Sequence, residues 1–179
     1  MLISMRTIVA IAAVTAALVG AEARSEPASP WKVMNAQRDP LTDQTARYAK
    51  TTPKSDPIQN GKPVTTALII KCGTIYVSGP THPELMILFT SLTGTGHVKN
   101  IETRYRFDEG PIRDYKLSSG GKAGARAILL PKLSNQDPIA DLIAAKRLRV
   151  EVNLPHAGMT LLDFNVANAS EAIQAISCK

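Results

Sequence analysis

The chain has 179 residues, 44% hydrophobic and 20% charged, which is enough for one domain with a real core and too little for two comfortable ones. Lys and Arg number 21 against 15 for Asp and Glu, giving a net charge of +6 and a pI near 9.5. Aromatic residues are only 4%, too few for a base-stacking nucleic-acid surface, and two cysteines cannot form a four-thiolate metal site.

Residues 1–6 carry one positive charge, Arg6, and residues 7–20 are uninterruptedly apolar or small. Ala21-Glu22-Ala23 follows, the small-x-small pattern cut by signal peptidase. The apolar run, about 14 residues, is shorter than the roughly 20 needed to cross a hydrocarbon core. Residues 1–23 are therefore expected to be a cleaved signal peptide. Export to the periplasm or beyond is expected, with no transmembrane segment after cleavage. The mature chain starts at Arg24 and has no cysteine there to take a lipid anchor.

Residues 24–62 read as an extended, proline-rich N-terminal arm, with Pro27, Pro30, Pro40, Pro53 and Pro57 removing backbone donors. Trp31 and Val33 are expected to tuck onto the body, and residues 45–51 to form a first strand. Residues 63–179 read as the β-rich domain. Strands are predicted over 66–72, 74–78, 85–92, 98–108, 112–118, 125–130, 147–154 and 159–166. In the fourth of these, Ile101, Thr103, Tyr105 and Phe107 alternate with Glu102, Arg104, Arg106 and Asp108, a strand with one dry and one wet face. Asp137 is placed to cap a short helix with Pro138 at its first position and Ile139, Leu142 and Ile143 on one face. Ser170 is expected to cap a second, with Ile173 and Ile176 turned inward. The fold class that follows is mainly β: a single antiparallel β-sandwich-like domain with two short helices.

Export makes Cys72 and Cys178 an even pair in an oxidising compartment, so one disulfide is expected. In the chain-entropy model a loop of that length is worth ~4–5 kcal/mol, an upper-end figure.

A search for chemistry returns little. Gly120-Gly121-Lys122 lacks the first glycine and the final Ser or Thr of a phosphate-binding loop. Gly94-Thr95-Gly96 lacks the third glycine of a dinucleotide fingerprint. His82, His97 and His156 have no partners at metal-binding spacing, and no serine stands in a G-x-S-x-G elbow. No catalytic residue, metal or cofactor is assigned. Two surfaces stand out as partner-binding candidates. One is the Asp39-Pro40-Leu41-Thr42-Asp43 turn, through Asp39, Thr42 and Asp43; the other is a basic face of Arg104, Arg106 and Arg113.

Several of these segments resemble a known family. Asp39-Pro40-Leu41-Thr42-Asp43 is similar to the D-P-M-T-D segment of the VasI/TagO-like periplasmic proteins associated with type VI secretion. So are a core strand ending in Cys72, the Tyr105-Arg106-Phe107-Asp108 run, and Phe164 with a short helix closing on Cys178. Leu41, Lys71 and Asn168 depart from the Met, Arg and Gly usual at those places. The resemblance implies an exported accessory domain with a Cys72–Cys178 bridge and no catalytic residues. The expected function is a non-enzymatic binding or accessory protein of the cell envelope. Its expected partner is an envelope or secretion-system protein, or an anionic glycan or lipid headgroup, and not nucleic acid. The alternative is an envelope glycan (peptidoglycan) hydrolase, or an inhibitor of one.

Overall fold

A computed structural model describes residues 29–38, 45–72, 83–89, 101–117, 127–130, 136–154 and 157–176. Two antiparallel sheets share one core. The first has five strands: β1 (Lys32–Arg38), β2 (Thr45–Thr51), β5 (Thr66–Cys72), β6 (Glu84–Phe89) and β9 (Ala127–Leu130), ordered β1-β2-β5-β6-β9. The second has four: β7 (Ile101–Phe107), β8 (Arg113–Leu117), β10 (Arg147–Leu154) and β11 (Gly158–Asn165), ordered β11-β10-β7-β8. The sheets do not close into a barrel. The mainly β, sandwich-like architecture with two short helices is as the strand pattern predicts.

Alternation fills the core. Leu68, Ile70, Leu85, Ile87 and Phe89 from the five-stranded sheet meet Leu148, Val150, Val152, Leu162 and Phe164 from the four-stranded one, all of them buried. Each removes apolar surface from water worth roughly 1.5–3 kcal/mol, and this is the main force holding the sheets together. Pro53, just beyond β2, forms an isolated antiparallel bridge to Phe164 of β11 and so ties the two sheets together. Beside it the Lys54 N–H donates to the Asp163 carbonyl at 2.9 Å.

The stretch expected to be an arm instead supplies sheet. β1 pairs with β2 along its length, with a bulge between Met34 and Gln37. Trp31 is buried and its Nε1–H donates to the Val166 carbonyl at 3.4 Å, while Val33 stays exposed. A small hairpin, β3 (Ile58–Gln59) and β4 (Lys62–Pro63), turns through Asn60 and Gly61 at φ 50° and 73°. Asn-Gly is the favoured sequence for a turn with both central φ positive.

Helix α1 (Pro138–Ala144) starts as predicted: the Asp137 carboxylate accepts from the N–H groups of Ile139 and Ala140, with Pro138 in the first turn. Leu142 is buried, but Ile143 is exposed and so does not share its face. Helix α2 (Ala169–Ala175) is capped two residues earlier than expected. Its N-cap is Asn168, at φ 62°, and Ser170 lies inside the helix. The prediction failed because side-chain capping preference was the only signal used, and here backbone conformation sets the start. Helix α1 packs against α2 and β6, and α2 against β1, at one end of the sheets.

Candidate binding surfaces

The expected basic face does not form as one surface. Arg104 lies opposite Glu151 and Asp114, and Arg106 opposite Arg149, so both project from the outer face of the four-stranded sheet. Arg113 lies opposite Tyr105, a core residue, and therefore sits on the other side of the sheet. Placing all three together ignored the inversion of side-chain direction across the β7–β8 turn.

The outer face is also paired rather than free. The Arg104 Nε–H donates to Glu151 at 2.8 Å, and Arg149 pairs with Glu109 at 2.6 Å. Arg147 makes a two-pronged contact with Asp163, at 2.8 and 2.6 Å, and Lys54 reaches the same carboxylate at 3.0 Å. Arg106 stands 3.5 Å from Glu109. Hydrogen bonding to Arg147, reinforced by Lys54, holds the Asp163 carboxyl down at about 2. Glu151 and Asp163 likewise raise the Arg104 and Arg147 guanidinium pKa values above their ordinary one. Exposed pairs of this kind are worth little each, but together they reduce the positive field that an anionic partner would seek.

Arg113 instead pairs with Asp141 of α1 and lies against Tyr105, and both raise its pKa, the Asp141 bond most. A pocket of ≈ 190 Å³ opens beside this pair, lined by Phe107, Asp108, Gly110, Pro111, Arg113, Asp141, Ala144 and Ala145. Ligand pockets usually run from roughly 300 to 1,000 Å³, so this one suits no more than a small ion or fragment. Its charged groups already satisfy each other. The neighbouring Asp108 carboxylate accepts from the Arg147 N–H at 2.9 Å and the Lys146 N–H at 3.2 Å, a structural task.

The five-stranded sheet differs in kind. One row of side chains crosses all its strands on the face away from the core: Lys32, Lys50, Ile69, Met86 and Leu129, each opposite the next. Ala67 and Leu88 form a second row, and Tyr48, Lys71 and Glu84 a third. Leu129 is 40% exposed and Met86 and Leu88 are half-buried, while Ile69 and Ala67 on the central strand β5 are buried. Among the described residues, Lys32, Lys50 and Lys71 make no ion pair. No motif in the sequence marks this surface. The signal was present in the unbroken apolar run of residues 66–72, since a strand apolar at consecutive positions is apolar on both faces.

Asp39, Thr42 and Asp43 lie outside the described residues, as do Cys178, His82, His97, His156 and both glycine-rich stretches. Cys72 ends β5 on the core side and is buried. Among the described residues no group of three or more His, Cys, Asp or Glu is placed to hold a metal, and no helix is long and apolar enough to cross a membrane. Comparison with family models, curated proteins and solved structures finds no match.

Proposed function

We propose that this chain is an exported, non-enzymatic binding protein of the cell envelope, acting as an accessory factor. The observation that carries the reading is a sheet with apolar side chains on both faces, only one of which builds the core. Contiguous apolar surface is normally covered, and a rim of unpaired lysines gives such a surface a preferred class of partner. The charge-paired outer face of the opposite sheet supplies the contrast. It is built to be inert.

Export rests on the residue 1–23 leader pattern, and the type VI secretion pathway on the segment resemblances from Trp31 to Cys178. The Cys72–Cys178 bridge belongs to the same proposal. It is supported by a Cys72 that is not a free thiol and by Cys178 being the chain's only other cysteine. Protein recovered after export is expected to begin at Arg24 and to weigh about 2 Da less than its reduced form, the mass of the two hydrogens lost in one S–S bond. Titratable thiols in the native protein would remove the bridge.

The function is tested by placing a photo-crosslinking residue at position 129, and separately at 104, in the exported protein within its own envelope. Adducts specific to position 129, with type VI components among them, support the accessory reading. Loss of protein adducts in Asp43→Ala would place the segment 39–43 in the same interface. Cleavage of purified peptidoglycan by the protein would overturn the non-enzymatic reading in favour of a hydrolase.

A further inference from the structure

Building on that reading of the five-stranded sheet, we infer that its outer face docks on an anionic lipid bilayer. The first argument is electrostatic. Lys32 and Lys50 stand directly opposite each other in the β1–β2 ladder, and Lys71 lies two residues along β5 from Lys50's partner Ile69. Like charges placed opposite one another across strands destabilise a sheet. A carboxylate at either position would relieve that repulsion, and the four-stranded sheet uses this device at every outward arginine described. Here the three ammonium groups are left unneutralised; Glu84, opposite Lys71, is the single acid among the outward residues described and makes no ion pair. An external anionic surface neutralises them all at once.

The second argument is the choice of cation. Protein interfaces favour arginine and deplete lysine, whereas lysine stems lie along apolar surface while their heads reach lipid phosphates. The free cations of this face are lysines, and they adjoin the accessible Met86, Leu88 and Leu129, which flank a buried Ile69. The third argument is shape. The row from Lys32 to Leu129 crosses five strands, roughly 19 Å at the usual strand spacing. It is a broad sheet surface, with lysines at the β1–β2 side and apolar groups toward β9. A bilayer interface offers both chemistries in one plane.

The test uses protein purified after export and floated with vesicles. Binding is expected to mixed phosphatidylglycerol–phosphatidylcholine vesicles, to be weak on pure phosphatidylcholine, and to fall as salt shortens the screening length. Each lysine at an anionic surface is worth roughly fivefold in partitioning, so Lys32→Gln, Lys50→Gln and Lys71→Gln together should weaken binding on the order of a hundredfold. Leu129→Asn, which removes apolar contact without adding charge, should weaken it independently of salt. Arg104→Gln, on the opposite sheet, should leave it unchanged. Equal binding by the triple variant, or none to anionic vesicles, overturns the inference. If position-129 protein adducts persist in that event, the binding-protein reading stands and its occupant is a protein. If they too are absent, both readings fall.

Discussion

Asp108 occupies the left-handed region, at φ 45°, at the end of β7, and its carboxylate accepts from the N–H groups of Lys146 and Arg147 as the chain enters β10. Its own N–H donates to the Arg147 carbonyl at 2.9 Å. One residue thus fixes both the turn after β7 and the entry to β10. Asp108→Ala removes the carboxylate that accepts from both N–H groups, and with it the local side-chain hydrogen bonding that makes a left-handed backbone tolerable, so unfolding free energy should fall by about 2–4 kcal/mol in a urea titration. Asp108→Asn, which tolerates that conformation, should lose less.

Asp163 carries the second residue-scale prediction. Its folded pKa of about 2 lies below the ordinary 3.8, so its ion pairs stabilise the fold fully above pH 3.8 and lose that contribution as pH falls toward 2. Asp163→Asn should therefore be less stable than the parent at neutral pH, by about 1–2 kcal/mol once screening at its exposed partners is allowed for. Denaturation curves of the two proteins should converge near pH 2. A constant gap across that range would show that Asp163 acts by packing and not by charge.

Among the elements, the start of α2 separates what sequence conveys from what it hides. Ser170 looked like the cap because serine side chains satisfy helix N–H groups, yet Asn168 makes no side-chain cap bond and starts the helix through its positive φ. The family resemblance expects glycine at that place, and glycine and asparagine share easy access to the left-handed region. Asn168→Gly should leave stability within about 0.5 kcal/mol, while Asn168→Val should cost about 1–2 kcal/mol, read from thermal and urea melts. Strands β2, β5 and β10 fall where alternation and apolar runs put them, because period and burial are local properties. Strand β1 was missed, since Lys32–Arg38 has little β-propensity and owes its strand to pairing with β2. The separation of Arg113 from Arg104 was likewise invisible without the β7–β8 register.

At the scale of the molecule, the two sheets divide their labour. One sets its outward charged side chains against one another, and the other leaves three cations unpaired beside an apolar row that is open only toward β9. Cys72 sits in that second sheet, on the inner side, at the end of a central strand. With Cys178 as its partner, the bridge would fasten the C-terminal end to the middle of the five-stranded sheet. Cys178→Ser should then lower stability by roughly 2–5 kcal/mol, with the loss reproduced by reducing the parent protein. Equal stability of parent and variant under oxidising conditions would show that the sheets alone hold that end.

The Trp31–Val166 hydrogen bond spans 135 residues, and Pro53 meets Phe164 across nearly as many. Contacts of such sequence separation form late, because the intervening chain must first be gathered. A polypeptide emerging N-terminus first has β1, β2 and β5 in hand long before the strand that covers them arrives. Until then Leu68 and Ile70 face water. An interrupted or stalled chain would thus present an open half-core to quality-control proteases, and passage through a narrow export channel in an unfolded state would meet little resistance from premature folding.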